Sequence, residues 1–239
     1  MRSSYVVEQT AHTAGRFMRR EEERPWYQRY PAAGDHQGAS PSYLFFKRSL
    51  DFAVCLFALP VFLVLITLCM LAIRLDSPGP IFFFQLRTGK GGKRFKMYKL
   101  RTMVKNAEEL KQQYMHLNTL SCPDFKIIND PRMTRVGRFL RKTSLDELPQ
   151  IFNVLNGSMS LVGPRPTSFS SETYSLWHTA RLECKPGLTG LWQVCGRNEL
   201  DFDERVRLDI AYMRNQSMWL DFQILLRTVN TVFTGRGAN

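Results

Sequence analysis

The most distinctive feature of the hydropathy pattern is an uncharged apolar run at residues 52–73. A helix rises about 1.5 Å per residue, so this run is long enough to cross a hydrocarbon layer of about 30 Å. It lies too far from the N-terminus for a signal peptide, and the pattern therefore predicts membrane attachment. Pro60 lies inside the run, and basic residues flank it at Lys47, Arg48 and Arg74. Two topologies follow: a single span with a kink at Pro60, or a re-entrant hairpin bent near Pro60 with both ends on the cytoplasmic side.

Beyond this run, the spacing of apolar positions predicts a small mixed domain. Residues 81–85 and 94–100 are expected to be strands of a hairpin around the glycine-rich loop 88–93. Helices are predicted at 104–120, at 134–142, from Ser144 to the Asn156-Gly157 pair, at 204–213 and at 218–233. In the last helix a set of apolar residues shares one face, which suits packing on a core or on a bilayer surface: Trp219, Phe222, Leu225, Leu226 and Val229.

The composition divides the chain into three parts. Residues 1–42 mix charges with Pro, Gly, Ser and Gln and show no periodicity, so we expect a mostly disordered tail with a short helix near 14–23. Residues 43–75 form the membrane segment, and residues 76–239 form the folded domain. The predicted fold class is α/β and mostly helical.

Charge is unevenly distributed along the chain. The formal net charge is +12, and residues 77–107 contain no acidic residue. Such a stretch attracts nucleic acid, anionic lipid headgroups, or the phosphates of nucleotides and lipids, and charge alone does not choose among them. The five cysteines are scattered without CxxC spacing, which argues against a zinc site and a disulfide framework.

Two adjacent acids, Asp146 and Glu147, follow a basic segment and lie three residues or fewer after Ser144. A Ser-x-x-Glu pattern at a helix start explains Glu147 as a cap, and acids in a first turn complement the helix dipole. The same residues also suit phosphate chemistry, because a carboxylate can attack phosphorus or hold a metal ion while arginines neutralise the phosphate oxygens. Both interpretations remain open at this point.

Two further loops have compositions that bear on phosphate binding. The loop at 88–93 lacks the spacing of a P-loop or of a dinucleotide fingerprint, and we interpret it as a basic hairpin turn. The turn Gly163-Pro164-Arg165-Pro166 restricts two φ angles and holds one guanidinium between them. A guanidinium fixed in this way suits a diphosphate, although a plain rigid turn with an exposed arginine has the same sequence.

Several stretches, taken in order, resemble the bacterial sugar transferase family, the monotopic polyprenyl-phosphate phosphoglycosyl transferases. The matching stretches are KRSLD (47–51), DSPGPIFF (76–83), KLRTM (99–103), residues 130–166 with DELPQ and GPRP, KPGLTGLWQVCGR (185–197) and LDIAYM (208–213). The likeness runs from about residue 43 to the C-terminus. This chain departs from the family pattern at Phe84, where Arg is usual, and at Leu59, where Ser is common.

The resemblance implies transfer of a sugar 1-phosphate from a nucleotide diphosphate sugar, usually a UDP-sugar, to polyprenyl (undecaprenyl) phosphate. UMP is released, and exopolysaccharide, O-antigen or lipopolysaccharide synthesis begins. It assigns Asp146 as the nucleophile that forms a covalent phosphosugar intermediate and Glu147 as a catalytic residue associated with Mg²⁺. Arg165 is assigned to phosphate and nucleotide binding. Three further residues match basic family positions around the site: Lys99, Arg101 and Arg141.

The resemblance also implies an arrangement in the cell. A small cytoplasmic catalytic domain at 76–239 would lie on a re-entrant, Pro-kinked membrane helix and on interfacial amphipathic helices, at the bacterial inner (cytoplasmic) membrane. Membrane lipids are then partners and nucleic acid is not, while a homo-oligomer is left open. Two alternatives are kept: direct transfer in a ternary complex by the same enzyme, and a non-enzymatic, membrane-anchored basic adaptor.

Overall fold

The computed structural model of the chain describes residues 26–29, 38–118, 127–168, 175–195 and 200–234. A short 3₁₀ helix, Trp26–Arg29, belongs to a separate N-terminal unit, and the predicted helix at 14–23 lies outside the described residues. In the second unit the regular elements are, in chain order, α1 (Pro41–Asp76), β1 (Phe82–Thr88), β2 (Arg94–Leu100), α2 (Arg135–Lys142), α3 (Ile151–Leu155), β3 (Ser160–Val162), β4 (Gly187–Thr189), α4 (Leu191–Cys195), α5 (Phe202–Arg214) and α6 (Met218–Thr234). The mostly helical character that the sequence predicts is confirmed.

The apolar run lies within α1, a helix of 36 residues. The Ser40 hydroxyl accepts a hydrogen bond from the Tyr43 backbone N–H at 3.2 Å, and Pro41 occupies the first turn, where it loses no bond. The helix ends at Asp76, because the residue before Pro78 is forced into extended backbone. Pro60 lies inside the helix without ending it. The helix prediction is confirmed, whereas the predicted re-entrant bend stays a prediction.

One face of α1 packs against the domain along most of its length. The buried residues fall at helical spacing: Asp51, Cys55, Ile66, Cys69 and Ile73. Cys55 joins a cluster with residues of β2 and α3, and Ile66, Cys69 and Ile73 join Leu100 and Leu140. The remaining faces are exposed and apolar, and only 17% of the most apolar window of 18 residues is buried. By length and composition α1 could cross a membrane, and a core helix of a soluble protein would be mostly buried.

Polar residues at both ends of α1 bind the same domain. At the start, a buried group that we name the helix anchor joins Tyr43 and Lys47 of α1 to Tyr212 and Asp221, with Lys47 Nζ 2.7 Å from Asp221 Oδ2. At the end, Asp76 accepts a hydrogen bond from the backbone N–H of Val136 at 3.1 Å. Both ends of α1 therefore lie against the domain.

Between these ends, two further α1 side chains bind the loop region around α3 and β3. Arg48 donates to the carbonyls of Val154 and Leu155, at 2.5 and 2.8 Å, at the C-terminal end of α3. Asp51 accepts from the Ser160 hydroxyl at 2.6 Å and from the Leu161 backbone N–H at 3.2 Å. The KRSLD stretch thus attaches α1 to the domain by hydrogen bonds as well as by apolar packing.

The sheets are small and form two pairs. Strands β1 and β2 form the predicted antiparallel hairpin, with Phe83 opposite Lys99, and β3 pairs with β4 in parallel. Helix α3 lies beside β2, because the Asn153 side chain accepts from Tyr98 N at 3.0 Å and donates to Lys96 O at 2.8 Å. This pairing of a side-chain amide with a strand edge fixes where the residues just before α3 lie relative to Lys99.

Two predictions of secondary structure need correction, and one element was missed. The described part of the predicted helix 104–120 contains only short 3₁₀ turns, Glu109–Lys111 and Met115–Leu117; its last two residues and most of the loop 121–130 lie outside the described residues. Between residues 105 and 118 only Ala107 is buried, so there is no apolar face to hold a helix against the domain. The helix predicted from Ser144 begins as a 3₁₀ helix, Leu145–Gln150, and becomes α-helical only at α3. The β3–β4 pair was not predicted.

Candidate active site

Three separate segments bring a lysine, two acids and an arginine together. Lys99 comes from β2, Asp146 and Glu147 from the 3₁₀ helix Leu145–Gln150, and Arg165 from the turn after β3. Lys99 Nζ lies 2.7 Å from Glu147 Oε1 and 3.8 Å from Asp146 Oδ2. Arg165 approaches the same glutamate with Nη2 2.6 Å from Oε1 and Nη1 3.4 Å from Oε2. We name these four residues the site cluster.

The acids do not cap a helix, so the predicted capping box is wrong. Ser144 adopts a left-handed conformation (φ 58°, ψ 16°), and its side chain makes no capping hydrogen bond. This conformation turns the chain sharply before Asp146, and the Glu147 side chain points to Lys99 and Arg165 instead of back to residue 144. The helix-cap interpretation of Glu147 is thereby replaced by an ion-paired one.

The turn that carries Arg165 begins at a close approach of two backbones. A Cβ on Gly163 would come 2.4 Å from the carbonyl oxygen of Lys185, so a larger residue there would push β3 and β4 apart. Pro164 and Pro166 then fix φ on either side of Arg165. The Arg165 side chain is 35% exposed, which leaves its guanidinium accessible while it holds Glu147.

The two neighbouring carboxyls differ in their readiness to ionise. Burial raises the pKa of Asp146 above its ordinary value, and nearby cations, Lys99 first among them, act in the opposite direction. Burial also opposes ionisation of Glu147, but the charges of Arg165 and Lys99 outweigh it and hold the pKa of that carboxyl well below its ordinary value. Glu147 is therefore a fixed negative charge, and Asp146 is the carboxyl whose protonation is sensitive to its surroundings.

The other two basic residues assigned by the resemblance lie further from the acids. Arg101 is 6% exposed, and its guanidinium donates to the carbonyls of Ser77 and Pro78 at 2.7 and 3.0 Å. It therefore fixes the turn between α1 and β1. Arg141 donates to the Thr102 hydroxyl at 3.1 Å, and its charge lowers the pKa of Asp146. A substrate-binding role for either residue stays a prediction.

The donor set can be compared with what Mg²⁺ requires. The described residues contain no group of three or more His, Cys, Asp or Glu side chains that could enclose a metal ion. Mg²⁺, however, commonly binds one or two carboxylates together with substrate phosphates and waters. The exposed fraction of the Glu147 side chain, 19%, and its two oxygens fit that mode of binding, in which the metal arrives with a diphosphate.

Sequence reasoning missed the residues that support the site. Asn153, which sets the position of the acids relative to β2, appeared only as part of a helix, and Arg181 was not selected at all. Arg181 is 5% exposed and donates to the carbonyl oxygen of Arg165 at 2.7 Å. A lone arginine before a Lys-Pro-Gly turn carries no periodic or motif signal that would have identified this contact.

Comparison with known proteins gives consistent matches across the domain. The model of the family described as bacterial sugar transferase matches residues 42–235. Among curated proteins, the galactosyl transferase CpsE of Streptococcus agalactiae is 44% identical over 82% of this chain and 44% of the relative. The undecaprenyl-phosphate galactose phosphotransferase of Salmonella typhimurium is 43% identical over 84% of this chain and 43% of the relative.

Relatives of different length match the same region. The chain spans less than half the length of the two relatives above. In contrast, it covers 87% of the exopolysaccharide production protein ExoY of Rhizobium meliloti, at 39% identity over 80% of this chain. All four residues of the site cluster lie within the region that the family model matches. The chain belongs to the bacterial sugar transferase family.

Proposed function

We propose that this protein transfers a sugar 1-phosphate from a UDP-sugar to undecaprenyl phosphate, with release of UMP, through a covalent intermediate on Asp146. The product, a polyprenyl diphosphate sugar, would start the assembly of an exopolysaccharide or a related glycan. Relatives carry names of the corresponding type for galactose, for N-acetylgalactosamine and for glucose. These three names share the lipid acceptor and differ in the sugar.

The observation that carries the proposal is the unequal pairing of the two acids. Glu147 is held by Lys99 and Arg165, whereas Asp146 lies 3.8 Å from Lys99 and makes no side-chain hydrogen bond with the residues that the structure describes. A carboxylate oxygen that accepts no hydrogen bond keeps its electron pairs available for attack on phosphorus. The adjacent cations supply the neutralisation that an anionic nucleophile requires when it approaches a diphosphate.

In the first step an Asp146 carboxylate oxygen attacks the phosphorus that bears the sugar. The bond between that phosphorus and the oxygen bridging to the nucleotide breaks, and UMP leaves with the bridging oxygen and its electron pair. In the second step an oxygen of the polyprenyl phosphate attacks the same phosphorus. The bond to Asp146 breaks, and the carboxylate is restored for the next turnover.

The remaining members of the site cluster act on charge and orientation. Arg165, with its planar fork of donors, suits a phosphate that it can contact through two nitrogens. Lys99 can contact both the substrate phosphate and the acids, because it already lies between Asp146 and Glu147. Mg²⁺, when bound at Glu147, would supply further positive charge to the diphosphate.

The contacts of α1 support a re-entrant or interfacial arrangement over a simple span. Its 36 residues would extend about 54 Å as a straight helix. A straight crossing would place the two ends on opposite sides of the bilayer, yet Lys47 and Asp76 near the two ends both bind the same domain. We therefore propose that both ends lie on the cytoplasmic side of the inner membrane with the domain at 76–239, and that residues 1–42 form a separate tail.

A helix at the C-terminal end offers a second apolar surface. Trp219, Phe222, Leu226 and Val229 of α6 are each at least half exposed, while Leu220 and Ile224 on the other face are fully buried. This face was predicted to pack either on a core or on a bilayer surface, and a bilayer surface suits its exposed residues. We propose that α6 lies at the interface and keeps the site cluster close to lipid.

The test is nucleotide release by detergent-solubilised protein supplied with Mg²⁺, undecaprenyl phosphate and single UDP-sugars. We expect UMP with one or two of the sugars and no turnover without the lipid. Release of UDP would mean ordinary glycosyl transfer and would contradict the proposal. If the donor alone gave no phosphosugar adduct on Asp146 while the full mixture released UMP, direct transfer in a ternary complex would replace the covalent route.

A further inference from the structure

The turn that carries Arg165 is held through its carbonyl groups. Two of its residues are prolines, which have no backbone N–H, so the carbonyl oxygens provide most of the backbone groups through which the turn can be held. Four successive carbonyls each accept a hydrogen bond from a different donor. Pro164 O accepts from Gly187 N at 2.9 Å, and Arg165 O accepts from Arg181 Nη2 at 2.7 Å. Pro166 O accepts from Arg87 Nη1 at 3.3 Å, and Thr167 O accepts from Thr88 N at 3.0 Å. The backbone on both sides of the Arg165 side chain is thereby immobilised.

The donor to Arg165 itself, Arg181, is the more buried of the two arginines in this set. Arg181 is 5% exposed, and its Nη2 lies 2.5 Å from Oδ2 of Asp209, which is fully buried on α5. The contact is an ion pair and not a well-aligned hydrogen bond, since neither Asp209 oxygen has a hydrogen-bond partner among the described residues. Burying this pair is costly unless both charges stay together. The pairing with Asp209 therefore holds the Arg181 guanidinium beside the Arg165 carbonyl.

We propose that Arg181 and Asp209 are positioning residues that aim the Arg165 guanidinium at the substrate diphosphate. Pro164 and Pro166 fix the φ angles of their own residues, and Pro166 restricts Arg165 to extended backbone, but within that broad region the orientation of the Arg165 carbonyl still varies. Arg181 sets that orientation, and Asp209 fixes Arg181. The Arg165 side chain then extends from a rigid base to Glu147, 2.6 Å from its Nη2.

This inference rests on the proposed function, because Arg165 has a substrate to contact only if the site binds a diphosphate. A displacement of about 1 Å at such a group is worth about 10²-fold in rate. Loss of Arg181 should therefore weaken catalysis strongly although the residue touches neither acid. Its effect should exist only while Arg165 is present.

A double-mutant cycle on the full chain tests this dependence. We expect Arg181→Met to lower kcat/KM for the UDP-sugar about 10²-fold. In an Arg165→Ala background, where the loss is already at least as large, the same change should add less than about twofold. The melting temperature should fall equally in both backgrounds, which separates positioning from general destabilisation.

A matched control is available in the same chain. Arg132 is also 5% exposed, pairs with Asp130 at 2.6 Å and donates to the carbonyl oxygen of Ala107 at 3.1 Å, yet it does not bind the turn. We expect Arg132→Met to lower the melting temperature similarly. If Arg132→Met lowers activity, the loss in the double variant with Arg165→Ala should be the product of the two single losses. Multiplicative effects of Arg181→Met and Arg165→Ala would overturn the proposal.

A readout independent of the reaction completes the test. Hydrogen exchange of the peptide covering residues 163–168 should be faster in Arg181→Met than in the wild type and unchanged in Arg132→Met. If the wild-type protein released no UMP, the proposed function would fail, but hydrogen exchange would still decide whether Arg181 holds the turn. Exchange in Arg181→Met that equals the wild-type exchange would overturn the inference. If Arg181→Met does not fold, Asp209→Asn, which keeps the shape and removes the counter-charge, takes its place in both measurements.

Discussion

The site cluster and the helix anchor both bury charges, but their members are paired to different degrees. In the helix anchor, Asp221 receives Lys47 and Tyr43 on one oxygen and the Tyr212 hydroxyl on the other, at 2.7 to 2.9 Å. In the site cluster, Lys99 and Arg165 both bind Glu147, and Asp146 is left with a cation at 3.8 Å. The side chains of the site cluster are between 9% and 35% exposed, with Asp146 the least and Arg165 the most exposed, against 12% and 5% for Lys47 and Asp221.

We interpret this difference as one between charges that hold the fold and charges that are available to a ligand. A cluster whose donors and acceptors are all satisfied gains nothing from a further anion. A cluster with three cations around two acids, counting Arg141, has positive charge to spare for a diphosphate. Mutations in the two clusters should therefore affect different measurements.

The largest expected effect is that of Asp146→Asn on turnover. The amide keeps the shape but lacks the anionic oxygen that attacks phosphorus, so UMP release should fall at least about 10³-fold. Membrane association and melting temperature should stay close to those of the wild type. Turnover above a few per cent of the wild-type value would remove Asp146 as the nucleophile.

The helix anchor should respond in the opposite way. Lys47→Met leaves the buried carboxylate of Asp221 without its cation, which should cost about 3 kcal/mol in the free energy of unfolding. Turnover per folded molecule should change little, because Lys47 contacts no member of the site cluster. Denaturant unfolding checks the first expectation, with Lys90→Met at an exposed lysine as the control. A large loss of kcat in folded Lys47→Met would show that the two clusters are not separable.

A smaller effect concerns pH and sharpens the assignment within the site cluster. Attack requires ionised Asp146, so activity should fall as the pH drops through the raised pKa of this carboxyl; Glu147, whose pKa is depressed, stays ionised throughout. Lys99 lowers the Asp146 pKa, and its removal must therefore raise that pKa further. The acid limb of the kcat profile should move to higher pH in Lys99→Met.

Lys96→Met provides the comparison for this measurement, since Lys96 is an exposed residue of the same strand. We expect it to leave the acid limb where it is. An acid limb that stays in place in Lys99→Met would mean that another group controls the profile.

Some parts of this fold could be predicted because the signal is local. The apolar run predicted α1, two short strand-like stretches around a glycine-rich loop predicted the β1–β2 hairpin, and the Asp-Glu and Pro-Arg-Pro motifs led to Asp146, Glu147 and Arg165. The β3–β4 pair could not be found this way, since two three-residue strands far apart in sequence have no periodicity of their own. The left-handed Ser144 was also beyond reach, because Ser-x-x-Glu has the same sequence whether or not it caps a helix.

Arg101 shows a different limit of sequence reasoning. Its position in an acid-free stretch predicts an anionic partner, and the structure gives it neutral carbonyls of Ser77 and Pro78 instead. Charge in a sequence indicates that a partner is needed but not which one is near. Arg181 illustrates the same point, since its importance depends on a carbonyl sixteen residues earlier in the chain.

The shared packing of α1 has a consequence for how the protein can be produced. Cys55, Ile66, Cys69 and Ile73 complete two apolar clusters whose other members belong to the domain. Cutting the chain after residue 76 to obtain a soluble catalytic fragment would expose Leu100, Leu140, Ile151 and Val154 to water, at about 1.5–3 kcal/mol for each large side chain uncovered. Such a fragment is expected to aggregate. We therefore expect the domain to be stable only with α1 in place, which would tie its folding to the placement of this helix.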